Sequence, residues 1–358
     1  MVNEHELSPY AMNAGDGPLS YVKNSSYQGG VLDVAKPILE EEIAKKLEIS
    51  SNQNAFCIAD FGCSTGNNSF QATEIIIEAI KRKLELSNLK IPEFHVFFND
   101  VITNDFNTLF SSLPPNRSYN VAAVPGDFHR RLLPPSSVHF AYSSWSLHWL
   151  SEVPKAVEDS DSPAWNGGDI FYRGERKEVC DAYLDQFGRD VESFLKCRAV
   201  EMAGGGLMAL LLPGVPAFWN PENEFTLVSV AELLRSSLID MAKKGRLSEA
   251  KIDTFNIPYY FPTPQQLKAI LERSNNFAIE RVEILTNTGK HVNIPNIRAA
   301  IASYRAVHES MLAHHFGVEI IDELFDLYEK KLAASPVLTN IDNDKTIMIL
   351  AVLKRTID

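Results

Sequence analysis

The chain has 358 residues, 45% hydrophobic and 22% charged, with 18 glycines, 19 prolines and no low-complexity tract, which is the composition of a protein that folds throughout around one large core or two modest ones. Its formal net charge of -12 argues against binding nucleic-acid phosphate or anionic membranes, both of which need a basic footprint, and favours small-molecule chemistry. The cysteines Cys57, Cys63, Cys180 and Cys197 form no C-x-x-C pair, and the opening MVNEHELSPY has neither a basic nor an apolar signal region, so the expectation is a cytoplasmic protein with reduced thiols, no zinc and no membrane anchor.

In chain order, Val31, Ala35, Ile38, Leu39, Ile43 and Leu47 share one face at helical spacing, which predicts a helix over 31–47. The apolar run Phe56 to Ala59 predicts a strand, followed by a glycine-bearing turn and a second amphipathic helix through Ile75, Ile76, Ala79, Ile80 and Leu84. Further strands are expected at Phe94 to Phe98 and His139 to Tyr142. A long helix from Arg176 to Ala203 should be stopped by Gly204-Gly205-Gly206 ahead of the strand Leu207 to Leu212. Helical periodicity from Leu227 to Met241, a strand from Phe277 to Leu285, helices at Asn296 to Phe316 and Val318 to Ala333, and a closing strand at Thr346 to Leu353 complete the pattern. Alternating strands and helices imply an α/β protein with a parallel sheet covered on both faces, and the insertions read as a helical cap over the sheet's carboxyl edge.

The turn Asp60-Phe61-Gly62-Cys63-Ser64-Thr65-Gly66 sets an acid at a strand end and two glycines around a tight bend, where backbone can approach a nucleotide-like ligand closely. It lacks the lysine of a triphosphate loop and the full G-x-G-x-x-G of a dinucleotide site. A sulfonium amino-acid nucleoside suits it better, with Asp60 on the ammonium and Cys63 and Asn68 at the methionyl end. Asp100 closes the next strand and is placed to accept from ribose hydroxyls. The alternatives at this point are a βα turn without a ligand and, for Asp100, a solvated turn residue.

Six separated stretches then carry a resemblance: Ser20 to Gln28; Ala59 to Gly66; Phe98-Asn99-Asp100 with Asn104-Asp105-Phe106-Asn107; Val124 to Phe128; Ser143 to Pro154; and Asp253 to Pro258. In this order and spacing the chain resembles the plant SABATH methyltransferases, the family acting on salicylic acid, benzoic acid and theobromine. The texture of His95 to Asp100, Asn104 to Arg117 and His148 to Pro154 is most similar to the branch with loganic acid and farnesoic acid carboxyl methyltransferases.

The resemblance implies a Rossmann-like class I methyltransferase sheet with helices on both faces and a helical cap, and S-adenosylmethionine as cofactor, leaving S-adenosylhomocysteine as product. It implies cofactor contacts at Tyr21, Ser25, Asp60, Gly62, Cys63, Asn68, Asp100 and Val101, with Asp127 and Phe128 flanking the adenine. Here the chain departs from the family, whose usual Gly-Ser-Phe-Tyr is replaced by Gly126-Asp127-Phe128-His129. Gln28 and Trp149 are implied as paired donors to an acceptor carboxylate, and Tyr21, Trp145 and His148 as further walls of the acceptor pocket. Without the resemblance, Gln28 reads as a surface residue and Trp149 as core. Asn166, Asp253, Phe255 and Asn256 are implied as a magnesium site, the alternative being a structural turn.

A carboxylic acid is already ionised at cytosolic pH and a sulfonium methyl is already activated, so the expected transfer needs neither base nor metal. The expected function is therefore methyl-ester formation on a small acid, and the resemblance implies a homodimer. N-methylation of a xanthine is the alternative, and a catalytically silent acid binder a further one. Phe218, Trp219, His291 and Tyr304 are candidate pocket residues from the cap. The expected division runs 1–150 (N-terminal lid and first part of the cofactor core), 151–213 (core with a short cap insertion), 214–264 (cap), 265–287 (core), 288–340 (cap) and 341–358 (last core strand).

Overall fold

The structure is a computed structural model that describes residues 10–51, 53–172, 176–218, 226–285, 297–335 and 345–357. The first half runs α1 (Tyr21–Asn24), α2 (Ser26–Lys46), β1 (Ala55–Phe61), α3 (Asn67–Leu86), β2 (Glu93–Asp100), α4 (Phe106–Ser111), β3 (Tyr119–Pro125), β4 (Val138–Ser144) and α5 (Lys155–Glu158). The second half runs α6 (Lys177–Glu201), β5 (Met202–Gly214), α7 (Leu227–Lys243), α8 (Glu249–Asp253), α9 (Pro264–Leu271), β6 (Phe277–Leu285), α10 (Ile297–Phe316), a 3-10 turn at Val318–Ile320, α11 (Ile321–Ala334) and β7 (Ile347–Arg355).

The strands form one sheet in the order β3-β2-β1-β4-β5-β7-β6. The central strands are near-continuous apolar runs because both faces are covered, and Phe56, Ile58, Phe94, Val96, Phe98 and Phe140 are almost fully buried. On one face, the apolar stripe of α2 packs against α3; on the other, Val179, Tyr183, Phe187, Val191 and Phe194 of α6 join the main core. The chain steps from β1 to β2 on one side and from β4 to β5 on the other, so the sheet reverses direction of growth between β1 and β4. A crevice opens there at the carboxyl ends of the strands, the position where doubly wound sheets bind ligands. Helices α7, α8, α10 and α11 pack on one another as the cap.

Three sequence expectations are corrected. The sheet is not wholly parallel, because β7 runs antiparallel to both β5 and β6. The strand β3 was not delineated from the sequence; it pairs parallel to β2 at the sheet edge, and its half-exposed burial leaves only a weak apolar signal. The triple glycine does not stop the helix ahead of a strand but lies inside β5, where pairing to β4 shifts between Val138↔Met202 and Phe140↔Leu207. Gly205 has φ +78, and a Cβ there would sit 2.7 Å from the Glu48 carboxylate. The glycines thus lie in the irregular stretch between the two registers.

A buried ion pair ties the core to the loop after β3. Arg198 and Glu201, in the last turn of α6, have fully buried side chains paired at 2.8 Å. Arg198 donates to the carbonyls of Phe128 and Arg130 at 2.8 and 3.0 Å, and its guanidinium lies over the rings of Phe61 and Phe194. Glu201 accepts from the amides of Leu132 and Leu133. Removing one partner strands the other charge in the core, so Glu201→Gln is expected to lose about 3–5 kcal/mol of stability, measured by urea unfolding.

Candidate active site

The crevice between β1 and β4 is lined by the turn after β1, by Tyr21, Ser25, Gln28 and Gly29 from the N-terminal segment, by Asn68 from α3 and by Trp145 after β4. It encloses about 500 Å³, open solvent included. The turn is held by backbone: the amides of Gly62 and Cys63 both donate to the Asn99 carbonyl at 2.9 Å. Gly62 has φ +89, and a Cβ on it would lie 1.9 Å from the Ser146 hydroxyl oxygen. No other residue type fits that contact between the β1 and β4 loops.

Asp60 ends deep in this crevice, 3% exposed, and its Oδ2 has no hydrogen-bond partner in the protein. Burial pushes its carboxyl up to about 7 against the restraining influence of Ser69, and the neighbouring Asp100 adds to the rise. Asp100 is also raised by burial, to about 6, although the amides of Ser64 and Val101 donate to its two oxygens at 2.7 and 2.8 Å. Two carboxylates are therefore concentrated with too little protein charge to balance them, which suits a cation and hydroxyl donors on a ligand. Asn68 donates to the Ser25 carbonyl at 3.1 Å, tying α3 to the start of α2. Tyr21 is raised above its ordinary range, first by burial and then by Asp100.

Asp127 and Phe128 follow β3 and do not line this crevice. The Asp127 Oδ1 accepts from the His129 amide at 2.9 Å and lies 2.8 Å from His129 Nδ1. Desolvation works to raise the Asp127 carboxyl, but the His129 hydrogen bonds and charge, with Arg130, hold it below the usual range. Phe128 packs edge-on to Phe194. The departure from the family pattern is therefore a paired one, in which Asp127 and His129 engage each other.

Trp145, at the edge of the crevice, borders a cluster of aromatic rings that forms a box. Trp145 meets His148 edge-on, His148 stacks on Phe261 at 5.6 Å, and Trp149 packs on Tyr10, Tyr259 and His308. Burial lowers His148 to about 3, with a smaller contribution from His308, so its imidazole is neutral and a poor base near pH 7. The polar atoms Gln28 Oε1, Trp145 Nε1, His148 Nδ1 and His308 Nε2 are buried without a protein partner. Of the other cap candidates, Tyr304 is in the box, stacked on His308, whereas Phe218 is 95% exposed and is corrected to a surface residue; Trp219 and His291 lie outside the described residues. His308 and Tyr259 were not singled out from the sequence. Their signal is spatial: His308 sits in an ordinary amphipathic helix, and only the approach of α10 to Trp149 gives it meaning.

The four residues considered for magnesium come together, but not as an ion site. Asn166 is fully buried; its Nδ2 donates to Asn256 Oδ1 at 2.8 Å, and its Oδ1 accepts from Arg176 at 3.3 Å. Asp253 accepts from the Gly168 amide at 2.8 Å, and the Phe255 ring packs on His315 and Phe316. Arg176 also lies 3.8 Å from Asp169, which Arg235 approaches at 2.6 Å. One oxygen of each of Asn166, Asp253 and Asn256 thus accepts a hydrogen bond, and the Arg176 guanidinium already supplies positive charge beside them, so this set does not fit a hard dication that takes six or more oxygens. Among the described residues no group of three His, Cys, Asp or Glu gathers as a metal site.

The sheet order, the crevice and its paired acids define an α/β methyltransferase fold. The chain belongs to the S-adenosylmethionine-dependent carboxyl methyltransferases, whose family model matches residues 8–356. It is similar to a loganic acid O-methyltransferase from Catharanthus roseus, 43% identical over 355 residues that cover 98% of this chain and 95% of the relative. A farnesoic acid carboxyl-O-methyltransferase from Arabidopsis thaliana is 39% identical over 90% of this chain and 92% of its own. A solved structure of a loganic acid methyltransferase with SAH superposes with a TM-score of 0.92 at 42% identity, covering 97% of this chain and 99% of that one. The chain is an S-adenosylmethionine-dependent carboxyl methyltransferase.

From the Arg176 network, chelation with EDTA is expected to leave methyl-transfer rate and melting temperature unchanged, and added magnesium is expected to produce no thermal shift. A metal-dependent stabilisation in a fluorescence melt contradicts this reading.

Proposed function

We propose that the enzyme esterifies a small carboxylic acid held by Gln28 and Trp149, with the cofactor held by Tyr21, Ser25, Asp60, Gly62, Cys63, Asn68, Asp100 and Val101, and its adenine reaching past the crevice lining to Asp127 and Phe128 after β3. The observation that carries the reading is the unpartnered, almost fully buried Asp60 oxygen beside the turn, because buried carboxylates in native folds are normally hydrogen-bonded or paired and this one faces a crevice that can bring it a partner. Asp60 binds the ligand's ammonium, and Asp100 keeps lone pairs for the ribose hydroxyls beyond the two backbone amides it accepts from.

When bound, S-adenosylmethionine supplies a methyl group already activated on a sulfonium. The chain's own residues need only orient an ionised carboxylate, through the Gln28 amide and the Trp149 indole N–H, and exclude water from it with Trp145, His148 and the cap. No proton moves, so the neutral His148 acts as a wall. Loganic acid is the first acceptor to test, since a relative 43% identical is named for it; a xanthine panel is the control for nitrogen methylation.

Two outcomes are expected. Gln28→Ala and Trp149→Ala should each lower kcat/KM for the acid about ten- to hundredfold, the loss of one charge-assisted hydrogen bond, while cofactor affinity by calorimetry stays within about twofold; normal acid kinetics with weakened cofactor binding overturns the assignment. The second concerns pH. The folded Asp60 carboxyl titrates near 7 and an unfolded one near 4, so its contribution to ligand-free stability is full at acid pH and is lost as pH rises through about 7. Cofactor binding needs the ionised form, so affinity should rise by up to roughly tenfold per unit between pH 5.5 and 7, with release of a proton. Calorimetry in buffers of different ionisation enthalpy reads that proton directly, and a flat profile sinks the role given to Asp60.

A further inference from the structure

We propose that His308 is a specificity-determining residue that selects acids carrying a hydroxyl group away from the carboxylate. The inference rests on the carboxylate reading above and adds to it the chemistry of the rest of the acceptor. His308 lies in α10 and is 6% exposed, with its ring stacked on Tyr304 at a centroid distance of 3.8 Å. Its Nδ1 lies 2.9 Å from the Tyr304 carbonyl, an acceptor, so Nδ1 carries the proton. In the neutral ring this leaves Nε2 a lone-pair acceptor, and that atom is buried without a protein partner. Burial keeps the ring neutral, lowering it to about 4, so the site cannot serve as a second cationic anchor for a carboxylate.

The position of this atom fixes what completes it. The His308 ring centre is 6.0 Å from that of Trp149 and 5.9 Å from that of Tyr259, so it borders the aromatic box on the side of α10, next to one of the two residues assigned to the carboxylate. His148, whose ring is close enough for His308 to depress its basicity, does not satisfy it, because His308 Nε2 meets no donor from the protein. A wholly apolar acid would leave the His308 lone pair buried and unpaired, whereas a hydroxyl donates to it. A site built to receive a hydroxyl discriminates strongly against the analogue that lacks one.

The test uses matched acids with the full-length enzyme loaded with S-adenosylhomocysteine: shikimate, 4-hydroxybenzoate and 4-coumarate against cyclohex-1-enecarboxylate, benzoate and cinnamate, with binding read by calorimetry. At least one hydroxy acid is expected to bind ten times or more tightly than its partner. His308→Phe keeps the stack on Tyr304 and removes the acceptor, so the preference should fall to within about twofold; His308→Gln, which restores an oxygen acceptor, should recover part of it. S-adenosylhomocysteine affinity is expected to be unchanged in both variants, which separates a selective role from damage to the fold. Equal binding within every pair, or a preference that survives in His308→Phe, overturns the proposal and leaves the carboxylate reading intact. Failure of all six acids alongside binding of a xanthine overturns both.

Discussion

A carboxylate placed at the end of a central strand, out of water and without a counter-charge, is the constraint around which this protein is arranged. Asp60 is brought there because β1 is apolar on both faces and ends at the reversal point of the sheet, and its Oδ2 finds nothing in the chain to bind. The surrounding turn holds this unfavourable arrangement rigidly. Gly62 and Cys63 are pinned to the Asn99 carbonyl, and the Asn99 side chain reaches the carbonyls of Val124 and Gly126 at 2.7 and 2.9 Å. The ends of β1, β2 and β3 are thereby joined into one frame. On the proposed assignment, the stability surrendered at Asp60 is recovered when a ligand brings the missing positive charge, so part of the affinity for the cofactor comes from relieving that cost.

The acceptor side is organised on the opposite electrostatic principle. Trp145, His148, Trp149, Tyr259, Phe261 and His308 form a box in which the two titratable rings are held neutral by burial. A charged imidazole there would bind carboxylate in many orientations. Neutral walls with a few unpartnered polar atoms leave orientation to specific hydrogen bonds instead. Since the reaction moves no proton, nothing is lost by depressing the basicity of His148.

The parts of this arrangement that were legible in the sequence are those confined to one contiguous stretch. Asp60 to Gly66 could be read because strand, turn and helix follow one another, and the chemistry of the turn is local. The same holds for β6, whose strand reading matched Phe277–Leu285. Residues whose role depends on distant partners were not legible. Arg198 reads as one charge among many on a long helix until Phe61, Phe194 and the Phe128 carbonyl close around it. Arg176 gave no sign that it would occupy the centre of the Asn166 network. The edge strand β3 escaped because Ala122 and Ala123 add little apolar mass, and the solvent-facing side blurs the alternation.

The N-terminal segment connects the two ligand sites, and this has a physical consequence for how they close. Tyr10 packs on Trp149, the Asn13 amide donates to the Ala306 carbonyl of α10 at 2.8 Å, and its side chain reaches Glu309 at 2.7 Å. A few residues on, Gly15 donates to Asp105 at 2.9 Å, and Tyr21, Ser25 and Gln28 line the crevice. Fixing this stretch carries a conformational entropy cost along its whole length. Contacts made by one ligand therefore order backbone that the other ligand also uses, and the second binding event meets a segment already held. The segment is anchored at one end by α10, which carries His308, and at the other by α2 against α3 and the cofactor turn. On the proposed assignment of the two pockets, one short piece of chain thus couples the selection of the acid to the presence of the methyl donor, with Gln28, Tyr21 and Trp145 at their boundary.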